Sequence, residues 1–176
     1  MKEGCIISKS RPSRLRFNFG FLLEAPHGTS RTVELDYPSI RISEDMILEP
    51  LSGSFTATRI SEGIFLSGRL RSQVVQECVR CLEDAVVPLN LDIDELYYYP
   101  PEAAPAESYV VGENGYIDLS PLVRELTLLV TPIQALCRPD CQGLCMNCGQ
   151  NLNEGDCGCE DEEIDPRLDV LKQLLD

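Results

Sequence analysis

Apolar and polar residues alternate over much of the first hundred positions, and helical spacing takes over only beyond them. Leu15, Phe17, Phe19 and Phe21 alternate with Arg16, Asn18, Gly20 and Leu22, a period of two that predicts a half-buried strand. The turn-forming run 25–29 follows, and Thr32, Val33, Glu34 and Leu35 are expected to return as its hairpin partner. Residues 52–60 predict another strand. After a short turn at 61–63, Ile64, Leu66, Gly68, Leu70 and Val74 share one face of a long strand. Val87, Leu89, Leu91 and Ile93 line one face of the next, with Val86, Pro88, Asn90, Asp92 and Asp94 opposite. These three segments with short connections predict an antiparallel meander, and Pro88, which lacks a ladder donor, suits an edge strand or the start of a strand.

The three tyrosines and three prolines of 97–108 predict a loop, with the tyrosines packing at the strand end. Asp118-Leu119-Ser120-Pro121 then predicts a helix start, Ser120 as N-cap and Pro121 at the first helical position. Leu122, Val123, Leu126, Leu129 and Val130 form its apolar stripe, and Pro132 ends it. An acidic run at 160–163 precedes Asp165-Pro166, which opens a short C-terminal helix carrying Leu168, Leu171, Leu174 and Leu175. The expected fold class is therefore α+β: an antiparallel sheet, a central helix, a Cys-rich zinc-binding loop and a short C-terminal helix. The expected organisation is an α+β domain over 1–132, a Cys-rich metal-binding segment over 133–160, and an acidic linker with helix over 161–176.

Charge divides the chain. Of its 176 residues, 15 are Lys or Arg and 29 are Asp or Glu, a formal net charge of −14. Residues 1–82 hold 11 basic and 9 acidic side chains, whereas 83–176 hold 4 and 20. Phosphate contacts need Lys and Arg, so a polyanion would be repelled by the second half, which suits a basic partner instead. Arg69 and Arg71 share the polar face of the long strand, with Arg59 and Arg80 beside it. They are the candidate contact to RNA or a partner; the alternative is solvated arginines balancing nearby acids. No apolar run reaches the ~18 residues of a membrane span. The basic start lacks an apolar signal core, so a cytoplasmic setting is expected.

The chemistry lies in nine cysteines, six of them between 137 and 159. Such density in a reducing compartment favours metal thiolates over disulfides. Cys145-Met-Asn-Cys148-Gly149 has the form of a metal knuckle, in which two thiolates converge on one ion and glycine permits the positive φ of the turn. Cys157-Gly158-Cys159 returns as a second tight pair. Four thiolates suit tetrahedral zinc with no open position, a structural and not a catalytic site. Cys78-Val-Arg-Cys81 at a strand turn can make a second site with Cys137 and Cys141. The last six cysteines can alternatively supply one zinc and two spare thiols, with Cys137 or Cys141 replacing a member of the tight pair. Spacing does not separate zinc from an iron–sulfur cluster, and thiol-redox chemistry is the remaining alternative. Cys5 has no assigned role. The single His, His27, falls in a turn away from every cysteine, and no paired carboxylates stand out as general acid and base, so no catalytic residues and no small-molecule substrate are expected.

Three segments together resemble one family: Glu77-Cys78-Val79-Arg80-Cys81-Leu82 after a strand, Tyr116-Ile117-Asp118-Leu119 before a helix, and Cys141-Gln-Gly-Leu-Cys145-Met-Asn-Cys148-Gly-Gln-Asn-Leu-Asn153 with Cys157-Gly-Cys159. Their order and spacing resemble the YceD family, bacterial and plastid proteins associated with accumulation of large-subunit ribosomal RNA. The resemblance implies a non-enzymatic role in ribosome biogenesis, supporting 23S ribosomal RNA. It also implies a partner that is either a ribosomal RNA precursor or a basic large-subunit ribosomal protein.

Overall fold

The structure, a computed structural model, describes residues 15–159. Its first element, β1 (Arg16–Asn18), is followed directly by a single helical turn, α1 (Gly20–Leu23). The strands β2 (Ser30–Tyr37), β3 (Ile40–Ser43), β4 (Met46–Leu48), β5 (Leu51–Arg59), β6 (Gly63–Glu77) and β7 (Asp84–Tyr98) come next, then β8 (Tyr116–Asp118) and the helix α2 (Ser120–Val130). The principal sheet has four strands in the order β2-β5-β6-β7, and two-stranded sheets join β1 to β8 and β3 to β4. The class is α+β with antiparallel sheets, as the alternation predicts. The C-terminal helix expected from Asp165 and the thiol of Cys5 lie outside the described residues.

The meander over β5, β6 and β7 follows from period-two patterning. Ile64, Leu66 and Leu70 of β6 and Leu89, Leu91 and Ile93 of β7 are buried, while the polar residues between them face outward. Burying each such side chain contributes roughly 1.5–3 kcal/mol. Phe55 on β5 receives the rings of Phe17 and Phe19 edge-on at 5.5 and 6.3 Å. Opposite Phe55 in the ladder stands Gly68. Pro88 does lie on an edge strand.

Three local expectations are corrected. The alternation at 15–22 does not continue as a strand, because the Asn18 side-chain oxygen accepts the Gly20 N–H and turns the chain into α1. Leu22 is thereby buried and Phe21 exposed. The 30–37 strand pairs with β5, not with the first strand, which pairs with β8 through Phe17 opposite Ile117. In α2, Leu122, Val123 and Thr127 are buried whereas Leu129 and Val130 are exposed. Thr127 occupies the inner face because its hydroxyl donates to the Val123 carbonyl at 2.7 Å and so loses no hydrogen bond on burial. Ser120 is the first residue of the helix and not its cap; the Asp118 carboxylate accepts its N–H at 2.9 Å.

Among the described residues two compact units result: 15–76 together with 86–133, and 77–85 together with 134–159. The first carries the sheets and α2. The second contains all eight described cysteines.

Candidate metal centres

The second unit is built from two knuckles of one design. In Cys78-Val-Arg-Cys81-Leu82, the Leu82 N–H donates to the Cys78 carbonyl at 3.0 Å. In Cys145-Met-Asn-Cys148-Gly149, the Gly149 N–H donates to the Cys145 carbonyl at 2.9 Å. The closing residue is left-handed in both, with φ of 62° at Leu82 and 74° at Gly149. Glycine suits that position; leucine at the first knuckle carries the steric cost that glycine avoids.

Each knuckle meets a second pair of cysteines. The sulfurs of Cys78, Cys81, Cys137 and Cys141 lie within 4.8 Å of one another, and so do those of Cys145, Cys148, Cys157 and Cys159. Cys78 and Cys141 sulfurs are 3.8 Å apart, and those of Cys81 and Cys137 are 3.5 Å apart. A disulfide requires about 2.05 Å. A tetrahedral ion with ligands at about 2.3 Å spaces its sulfurs by about 3.8 Å, near the 3.8 and 3.5 Å of these two pairs. Each set of four can hold one metal ion.

Donors surround the sulfurs. Burial pushes the Cys78 thiol up, but the backbone N–H groups of Cys137, Cys81 and Arg80 outweigh it and bring it down to about 6. At Cys81 the Glu83 N–H pulls down, while burial and the sulfurs of Cys137, Cys141 and Cys78 push harder, up to about 12. The outer set repeats the contrast. N–H groups of Cys148 and Asn147, then the Cys157 thiol, bring Cys145 down to about 6. Neighbouring sulfurs, Cys148 foremost, push Cys159 up to about 12. In the inner set Cys78 and Cys141 are brought down while Cys81 and Cys137 are pushed up, and in the outer set Cys145 is brought down while Cys157 and Cys159 are pushed up. Burial and neighbouring sulfurs thus oppose ionisation of every thiol at once, a charge conflict that a bound cation relieves.

Several residues beyond the cysteines complete the unit. Asn153 donates to the Cys141 sulfur at 3.4 Å and to Asn151 at 2.8 Å, and its own side-chain oxygen accepts the Gln142 N–H. Asn151 in turn donates to Glu83 at 2.9 Å. Arg80, counted among the basic residues beside the meander, donates to the Cys141 carbonyl at 2.7 Å. The Asn151–Glu83 and Arg80–Cys141 contacts join segments far apart in sequence, and only the Asn-Leu-Asn run after the second knuckle signals this network. Arg69 and Arg71 stand in the first unit on the outer face of β6, opposite Ser54 and Ser52 of β5. Arg69 pairs with Asp92, both side chains two-thirds exposed.

Among the described residues, no helix is long and apolar enough to cross a membrane. Residues 66–175 match the sequence model of a family described as "Large ribosomal RNA subunit accumulation protein YceD". An uncharacterized protein of Mycobacterium tuberculosis (strain ATCC 25618 / H37Rv) is 35% identical over 120 residues, 66% of this chain and 58% of its own length. The chain thus covers less than two thirds of that relative. A chloroplastic large ribosomal RNA subunit accumulation protein, YCED homolog 1 of Arabidopsis thaliana, is 36% identical over 84 residues, 48% of this chain and 23% of its own. YlbN of Bacillus subtilis (strain 168) is 25% identical over 149 residues, 82% of this chain and 85% of its own. No solved structure matches.

Proposed function

The chain belongs to the YceD family, and from that premise we propose that it is a non-enzymatic factor supporting accumulation of large-subunit (23S) ribosomal RNA in the cytoplasm, its Cys-rich unit held by structural zinc. The observation carrying the zinc reading is the clustering of two sets of four sulfurs, each within 4.8 Å. Zinc accepts four thiolates in a closed tetrahedron, whereas a multi-iron core interposes irons and sulfides and spreads its thiolates farther. A fully coordinated ion offers no position for water or substrate, so zinc here would supply folding energy and not catalysis. Cys78, Cys81, Cys137 and Cys141 would hold one ion and Cys145, Cys148, Cys157 and Cys159 the other.

The direct partner we favour is a basic protein of the large subunit. The described surface of the second unit carries Glu77, Glu83, Asp84, Asp140, Glu154 and Asp156 against Arg80 and Arg138, and Arg80 is engaged at Cys141. Arg69 is engaged by Asp92, which leaves Arg71 as the freer half of the candidate RNA strip. Deleting the gene should lower 23S ribosomal RNA, and crosslinking in cells should place the chain on a ribosomal protein of pre-large-subunit particles. Unchanged 23S levels would overturn the role. Crosslinks to RNA lost in an R69E/R71E variant would replace the protein partner by RNA.

A further inference from the structure

We propose that the two cysteine sets do unequal work: Cys78, Cys81, Cys137 and Cys141 keep their ion as long as the chain stays folded, whereas Cys145, Cys148, Cys157 and Cys159 form an exchange site that takes up and releases zinc. This rests on the metal reading above and goes beyond it. An ion held by four thiolates leaves by ligand substitution. A donor from solution bonds to the metal as one cysteine sulfur departs, and the freed thiolate takes a proton from water; no oxidation state changes. The incoming donor must therefore reach the ion, and the departing sulfur must have room to move.

The inner set offers little of either. Cys78, Cys81 and Cys141 are 0%, 4% and 2% exposed, and only Cys137 is half-buried. Their backbones are pinned from several sides: the Val79 N–H donates to Ala135, the Leu144 N–H to Arg80, and the Arg80 side chain to Cys141. The four ligands also come from two segments more than fifty residues apart, so departure of one sulfur disturbs the packing of both.

The outer set offers both. Cys148 and Cys159 are exposed, and Cys145 and Cys157 only half-buried. Cys145, Cys157 and Cys159 line an open depression together with Met146 and Asp156, which gives a solution donor a path to the ion. Residues 152–159 form no helix or strand, and the Gly158 N–H is satisfied locally by Asp156, so Cys159 can swing away without breaking a ladder. All four ligands lie within fifteen residues, and their release opens one loop.

The test uses the full chain loaded with zinc under anaerobic, reducing conditions and challenged with excess of the chromogenic chelator 4-(2-pyridylazo)resorcinol. Two phases of one equivalent each are expected, with rates roughly tenfold or more apart. A C148S/C159S variant should bind a single equivalent and lack the fast phase. Pulsed alkylation of the unaltered protein, followed by peptide mass mapping, is independent of any folding defect in that variant. It should label Cys145, Cys148, Cys157 and Cys159 well before Cys78, Cys81, Cys137 and Cys141. Two equivalents leaving together, only one bound, or the reverse order of labelling would overturn the unequal roles. A folded protein that binds no zinc, with the eight thiols of the two sets alkylated at one rate, would overturn the metal reading itself.

Discussion

Asn153 donates to the sulfur of Cys141 at 3.4 Å, although it sits in the loop between Cys148 and Cys157, the other cysteine set. Both protons of its amide are used, the second on Asn151, so its orientation is fixed. A donor aimed at a thiolate stabilises the charged form and preorganises the ligand. Asn153→Ala is expected to weaken metal binding at Cys78, Cys81, Cys137 and Cys141 about tenfold. Asn153→Asp should cost more, since it sets a carboxylate beside sulfur. Chelator competition on the slower-released equivalent measures this, and an unaltered affinity in both variants would deny Asn153 a positioning role.

The shared knuckle design makes a paired prediction. Leu82 and Gly149 both sit at positive φ, yet only glycine does so without steric cost. Leu82 is 61% exposed, so removing its side chain forfeits little burial. Leu82→Gly is expected to stabilise the metal-loaded protein by up to about 1 kcal/mol, after the entropic cost of glycine is subtracted. Gly149→Leu should destabilise it by about 1–2 kcal/mol. Thermal midpoints of the loaded proteins test both, and shifts of like sign would contradict the shared geometry.

Gly68 has a different reason for being glycine. A Cβ there would come within 2.4 Å of the Phe55 Cα and the Ser54 carbonyl oxygen, backbone atoms of the adjoining strand. Nothing flexible can yield, so β5 and β6 would have to part where the Phe17–Phe19–Phe55 rings assemble. Gly68→Ala is expected to cost at least about 2 kcal/mol, read as a lower urea midpoint. A midpoint equal to that of the parent would show that the strands can separate cheaply.

The period of two made the meander legible because β6 and β7 run for fifteen residues each, long enough to display alternation. The hairpin of β3 and β4, four and three residues long, is too short to show any period. At 15–22 the alternating phenylalanines misled: a single Asn18 side-chain bond redirects the chain, a local event that periodicity does not register. The stripe of α2 misled because Thr127 satisfies its own hydroxyl and takes an inner position that hydrophobicity alone assigns to leucine. Cysteine spacing offered both the two sets of four whose sulfurs the fold clusters and a single site with two spare thiols, and spacing alone does not choose between them. Of the donors, Arg80 was not legible, because it reaches Cys141 only after segments distant in sequence have met, and Asn153, twelve residues from Cys141, was signalled only by the Asn-Leu-Asn run.

Tyr97 and Tyr109 predict how the sheet domain responds to alkali. Their rings stack with centroids 5.2 Å apart; Tyr97 donates to the Asp118 carbonyl and Tyr109 to the Glu125 carboxylate. Burial foremost, then the charges nearby, holds both hydroxyls neutral well above their ordinary value of 10. On unfolding each regains that ordinary value, so above pH 10 the unfolded chain binds fewer protons than the native one. The stabilising contribution of these hydroxyls is therefore complete below pH 10 and is lost as pH rises beyond it. Urea midpoints should fall above pH 10 with a steepness of up to two protons from this pair. Tyr109→Phe, which removes one titrating group and an exposed hydrogen bond, should lessen that steepness while changing the neutral-pH midpoint little. Tyr97→Phe should lessen it too, at a cost of about 1 kcal/mol at neutral pH for the lost bond to Asp118. An alkaline limb of equal slope in the parent and both variants would place the titrating groups elsewhere in the chain.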